Sequence, residues 1–153
     1  MNIPNLFKVA EVQLTYKNHT DLTQRPKITT DTEIVKLMRE VEEMKLNIDY
    51  KELFYAIYIN QSGRILSVGK VAEGTTTYCP TNVRQIIQGA LLQNATGLIV
   101  CHNHPSGDVQ PSKDDLVSIS HIQEAAKIFD IRLIDSFIIT SNNYYSFAAS
   151  GLI

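Results

Sequence analysis

Five residues with no polar side chain, Gly97-Leu98-Ile99-Val100-Cys101, run directly into His102 and lie between two stretches with apolar residues at helical spacing. A run this short, bounded by helix patterns, reads as a central strand of a sheet covered by helices. Upstream, a helix beginning near Thr81 or Asn82 buries Val83, Ile86, Ile87, Ala90 and Leu91. Downstream, Ser112 opens a helix carrying Leu116, Ile119, Ala126 and Ile128. A second strand is predicted over Leu53–Ile59, which is rich in aromatic and β-branched residues. Asn60-Gln61-Ser62-Gly63 turns it into a hairpin partner over Arg64–Val71. Ile131–Thr140 is a further strand, Ser141-Asn142-Asn143 a turn, and Tyr144–Ala148 a last short strand. Before all of these, Thr30-Asp31-Thr32-Glu33 has the form of a capping box, with Ile34, Leu37, Met38, Val41 and Met44 following on one helix to about Leu46. Val9–Tyr16 alternates as a strand, Lys17–Lys27 is a loop, and Gly74–Thr77 a polar link. Strands, hairpins and helices interleaved in this way imply an α/β (α+β) fold, a mixed β-sheet flanked by helices.

The chemistry concentrates where the central strand ends, in His102-Asn103-His104-Pro105-Ser106-Gly107-Asp108-Val109-Gln110-Pro111-Ser112-Lys113-Asp114-Asp115. Residues two apart on an extended chain project from one face, so His102 and His104 can converge on one ion. Pro105 and Gly107 break the strand, and Asp115 falls in the first turn of the next helix, where its carboxylate can fold back toward both imidazoles. Two histidines and a carboxylate supply three protein ligands and leave a fourth tetrahedral position open, the pattern of a catalytic zinc site; other divalent ions would also accept this set. Each piece has a plainer reading: histidines cap and decorate surfaces, Ser112 is a good N-cap, and an aspartate in a first helical turn suits the helix dipole. Their conjunction at a strand end, a turn and a helix start favours the metal.

Composition narrows the alternatives. The 153 residues suit one core, and 44% hydrophobic with 20% charged residues is ordinary for a globular protein. No apolar run reaches bilayer-spanning length, and the first residues lack a secretion signal. The two cysteines, Cys79 and Cys101, make no disulfide framework, so a reducing cytoplasm is the expected compartment. A net charge of −2 with no dense basic run argues against a dedicated nucleic-acid binder.

The stretch His102-Asn103-His104-Pro105-Ser106-Gly107, with Pro111-Ser112 and Asp115, resembles the JAMM motif of JAB/MPN metallopeptidases in its RadC-like form: His-x-His, seven residues, Ser, two residues, Asp. The similarity runs from about Glu52 to Ile153 and includes Ala90-Leu91, the Asp135 strand and Tyr145-Ser146-Phe147 to Gly151. The RadC-like JAB/MPN domain is accordingly expected over 51–153, with 1–50 as an arm and helix of the same domain. The resemblance implies a cytidine-deaminase-like mixed sheet and one zinc per chain held by His102, His104 and Asp115. It implies a glutamate general base, matched by Glu52 immediately before the Leu53 strand, and a second role for Ser112 as donor to the oxyanion. Glu73 and Glu11 are rival carboxylates without that position. RadC-like chains commonly carry Asp-His where this chain has Asp135-Ser136, which puts in doubt whatever that histidine does but not the three ligands. The helix-hairpin-helix region of longer RadC proteins is not expected in the first fifty residues.

Other residues read as ordinary. Cys101 should face away from His102 into the core, Asn103 should be structural, and Cys79, His19 and His121 lack metal-type partners. The string His-Asn-His is not an HNH nuclease, whose residues are dispersed, and the His-x-Glu and Pro-Cys-x-x-Cys of zinc deaminases are missing. The expected activity is zinc-dependent hydrolysis of peptide or isopeptide-type amide bonds in an unknown protein or peptide substrate. The alternatives are a catalytically idle MPN-type interaction module and a DNA-repair or mobile-element accessory of the RadC family.

Overall fold

The computed structural model describes residues 21–75 and 81–153; the strand expected over Val9–Tyr16, together with Glu11, His19 and Cys79, lies outside them. After a short 3-10 turn at Leu22–Gln24 come α1 (Asp31–Glu40), α2 (Glu42–Asn47), β1 (Leu53–Ile59), β2 (Ile65–Glu73), α3 (Val83–Leu92), β3 (Gly97–Asn103), α4 (Lys113–Ile128), β4 (Arg132–Ile139) and β5 (Tyr144–Ser146). The strands form one sheet in the order β2-β1-β3-β4-β5. β1 pairs antiparallel with β2 and β3, β3 pairs parallel with β4 across the α4 connection, and β5 returns antiparallel on β4. The expected mixed sheet flanked by helices is therefore present. Among the described residues, no helix is long and apolar enough to cross a membrane.

Alternation divides the core in two. Phe54, Ala56 and Tyr58 of β1, with Leu98 and Val100 of β3 and Ile138 of β4, face α3 and α4; Tyr55, Ile57, Ile99, Cys101 and Phe137 face α1 and α2. Cys101 is the buried core thiol expected, and burial pushes its titration up.

The predicted Thr30 capping box forms, with Glu33 Oε2 accepting the Thr30 N–H at 3.2 Å. The single helix expected to about Leu46 does not, because the chain breaks at Val41, which turns extended (ψ 117°) between α1 and α2. In an unbroken helix Met38 and Met44 would point about 120° apart; the break lets both sit fully buried in one cluster. Leu91 was expected inside but is half exposed, beside Leu92 and Phe129 in an open apolar groove between α3 and α4. Leu116 and Ile128 are likewise exposed on α4, whose buried residues are Ile119, Ile122 and Ala126.

One contact sets how closely α3 can lie on the sheet. A Cβ at Gly89 would collide with the phenol of buried Tyr58. Gly89→Ala should therefore lower stability by about 1–2 kcal/mol in urea denaturation, overpacking outweighing the gain in helix propensity.

Candidate metal centre

β3 carries His102 to the C-terminal edge of the sheet, where only 3% of its surface is exposed. Its ring lies flat on Phe54, with centroids 5.7 Å apart and planes 7° from parallel. Phe54 is its cross-strand partner, so β1–β3 pairing itself sets the ring plane. His104 stands just beyond the strand, and its backbone N–H still reaches Ile139 O at 3.2 Å. The chain then reverses: Gly107 takes the left-handed conformation (φ +81°) and donates its N–H to His104 O at 3.1 Å. This turn brings Asp108 O to 2.8 Å from His104 Nδ1. A carbonyl can only accept, so Nδ1 carries a proton, and Nε2, turned toward His102 and Asp115, is the nitrogen left to coordinate once a metal displaces any proton it holds.

The start of α4 supplies the carboxylate. Ser112 caps the helix by accepting the Asp115 N–H at 3.1 Å, and Asp115 Oδ2 reaches back to accept the Ser112 N–H and Oγ–H, both at 2.7 Å. This capping box pins Asp115 with Oδ1 3.1 Å from His102 Nε2 and Oδ2 3.4 Å from His104 Nε2, while the two Nε2 atoms are 3.1 Å apart. Donors around a tetrahedral ion with bonds of about 2.0–2.1 Å stand roughly 3.3–3.4 Å from one another. Each nitrogen stands at about that distance from the other and from one carboxylate oxygen, so the cluster suits a metal ion in spacing as well as chemistry. Among the described residues, these three form the group able to hold a metal ion.

Electrostatics agrees with the geometry. Burial works to raise the Asp115 titration, but hydrogen bonds from His102, His104 and Ser112 hold it well below the usual carboxylate range. Burial works to lower that of His104, and its bonds to Asp115 and the Asp108 carbonyl carry it above the ordinary imidazole value. Glu52 is raised, chiefly by burial; it also feels the opposing charges of His102 and His104 and the like charge of Asp115.

Glu52 enters the site through strand register. Phe54 pairs with His102 in the antiparallel β1–β3 ladder, so the same register continued by two residues puts Glu52 level with His104 and on the face of Phe54 and His102. Its backbone is held by Glu52 N–H to Thr75 O at 2.9 Å and Gly74 N–H to Glu52 O at 2.8 Å. Its rival Glu73 is occupied elsewhere, bonded to Lys51 and Lys70, which hold its carboxyl down to about 2.

Asn103, between the two histidines, faces the other way and is fully buried. Its Oδ1 accepts the Leu53 N–H at 2.8 Å, and its Nδ2 donates to Ile48 O at 2.8 Å and Lys51 O at 2.9 Å. It thus ties the segment carrying Glu52 to the strand carrying the histidines. Asn103→Ala leaves an N–H and two carbonyls without this partner and should lower stability by about 2–4 kcal/mol, read as a fall in the urea midpoint. Sequence reasoning placed Asn103 in a structural part but missed Phe54 and the Asp108 carbonyl. The alternation that puts Phe54 on one face with Glu52 was a usable signal; a backbone carbonyl leaves none.

A helix-flanked mixed sheet with two histidines at a strand end and an aspartate in the next helical turn is the arrangement of a JAB/MPN-type module. The chain matches the RadC-like JAB domain family over residues 28–152 and belongs to that family. It is 32% identical over 132 residues to a UPF0758 protein of Flavobacterium johnsoniae, covering 86% of this chain and 56% of that protein. It is 39% identical over 102 residues to a UPF0758 protein of Coxiella burnetii, covering 67% of this chain and 46% of that protein. With the UPF0758 protein PM1152 of Pasteurella multocida it shares 37% identity over 103 residues, again 67% of this chain and 46% of the other. The chain spans about half the length of the curated relatives it matches.

Proposed function

We propose that this chain is a zinc-dependent hydrolase of peptide or isopeptide-type amide bonds, with His102, His104 and Asp115 as metal ligands and Glu52 as general base. The observation that carries this reading is the convergence of three residues, with the two Nε2 atoms 3.1 Å apart and each 3.1 or 3.4 Å from one oxygen of Asp115, beside the titration-shifted carboxyl of Glu52, which is electrostatically linked to all three. When bound, zinc supplies Lewis acidity, making a water more acidic and polarising a carbonyl oxygen. Glu52 takes the proton of the attacking water as its oxygen bonds the amide carbon. It returns that proton to the nitrogen as the C–N bond breaks, so a raised titration suits a group that must both accept and give. Ser112 donates its hydroxyl to the developing oxyanion after turning from Asp115 Oδ2, to which it is bonded at 2.7 Å. The substrate is a protein or peptide, met in a reducing cytoplasm in keeping with the free thiol of Cys101.

The test is elemental analysis of the purified chain, followed by incubation of its zinc-loaded form with a panel of peptides and isopeptide conjugates. One zinc per chain with cleavage of panel members is the expected result. Bound zinc without any turnover would shift the reading to an MPN-type interaction module, and salt-sensitive DNA binding at physiological ionic strength to a nucleic-acid accessory.

A further inference from the structure

Among the described residues, two buried side-chain polar atoms have no hydrogen-bond partner, His102 Nδ1 and Ser136 Oγ. They belong to neighbouring strands and point to the same face. In the parallel β3–β4 ladder Val100 pairs with Ser136 and His102 with Ile138. Val100 and Ile138 pack in the core cluster under α3 and α4, whereas Cys101 and Phe137 pack in the opposite one. Ser136 is fully buried and His102 is 3% exposed. The backbone of Ser136 is satisfied, its N–H bonded to Asp135 Oδ1 at 2.6 Å and its carbonyl accepting the Phe147 N–H at 3.0 Å. Only the hydroxyl is left over.

Buried polar atoms are nearly always bonded, to protein or to an internal water. An imidazole that coordinates through Nε2 carries its proton on Nδ1, and that N–H needs an acceptor. Diagonal neighbours on one face of adjacent strands have Cα atoms roughly 8 Å apart, and here the two atoms make no direct bond to each other. A hydroxyl–water–imidazole chain spans about 5.5 Å, a separation that suits two side chains standing up from the sheet rather than leaning toward each other.

We infer that Ser136 is a positioning residue for His102, its hydroxyl and His102 Nδ1–H sharing one buried water that holds the ring with Nε2 toward His104 and Asp115. Phe54 fixes the plane of the ring, and the bridge selects between the two orientations, related by a ring flip, that share that plane. His104 has its counterpart in the Asp108 carbonyl, so each imidazole is oriented through its second nitrogen. The functional part of this inference rests on the metal-centre reading; the bridge itself does not.

Zinc affinity of the full chain, measured by competition with a chromophoric chelator, tests the role of Ser136. Ser136→Ala should weaken zinc on the order of 10-fold, the usual effect of losing a partner behind a ligand, while Ser136→Thr, which keeps the hydroxyl, holds wild-type affinity. A hydroxyl that was merely left unpaired would behave in the opposite sense: its removal would leave zinc untouched and make the metal-free chain as stable or more so. That result overturns the inference and spares the metal centre. A high-resolution crystal structure of the wild type should show an ordered water within hydrogen-bonding distance of both atoms, and a gap without one overturns the bridge however the variants fold. If wild type takes up no zinc, the metal reading fails by itself and the crystal density still decides the bridge.

Discussion

Replacing His102 and His104 together with alanine should take bound zinc from about one per chain to none. Only Asp115 would remain of the three donors that meet at the sheet edge. A single carboxylate, already committed to Ser112 at 2.7 Å, cannot hold the ion against water. The loss is also readable as stability. A ligand at a hundred times its dissociation constant stabilises a protein by about 2.7 kcal/mol, which for a chain of this size raises the melting temperature by roughly 5–10 °C. Wild type should show that shift on adding zinc, and the double variant should show none. The comparison of each protein with and without zinc matters, because removing buried His102 from its stack on Phe54 will lower the metal-free melting temperature by itself. Unchanged zinc content in the double variant would sink the site assignment.

The three candidate ligands were legible in the sequence because they lie within fourteen residues and are positioned by local rules. A strand end sets two side chains on one face, a proline-glycine turn reverses the chain, and a serine-capped helix brings an aspartate back. β1 was legible for a similar reason, since Leu53–Ile59 has no polar residue to blur its ends. What escaped depends on packing between distant segments. No glycine or proline marks the break at Val41; it follows from the burial of both Met38 and Met44. Helical spacing implied that Leu91 is covered, but periodicity cannot tell how far round a helix its neighbours reach, and here they stop short. Glu52 is the intermediate case. Its place before an apolar strand was visible, but its position beside His104 depends on the register of β1 against β3, two strands separated in sequence by β2 and α3. Family resemblance supplied what spacing alone could not.

Register also gives the second large prediction its form. Glu52→Gln keeps the shape of the side chain and the backbone bonds to Thr75 and Gly74 while removing the carboxylate proposed as general base. Turnover of any cleaved panel substrate should fall by about 10²–10⁴-fold, the contribution of a positioned general base, with zinc content unchanged because Glu52 is not among the three candidate ligands. The stability of the metal-free chain should move in the opposite direction. Burial is the main reason that the Glu52 titration lies above its ordinary value, so ionised Glu52 is disfavoured by the fold. A carboxyl whose folded value is raised contributes stability below its unfolded value and loses that contribution as pH rises through the folded value. At neutral pH the ionised group is then a net burden, and neutral glutamine relieves it. Metal-free Glu52→Gln should melt at or above wild type near pH 7, with the difference vanishing in acid, where Glu52 is protonated in both states. The two results together, a more stable variant and lost turnover, would mark Glu52 as a group held there for chemistry. If Glu52→Gln instead cleaves the panel at the wild-type rate, proton transfer at this site belongs to another group.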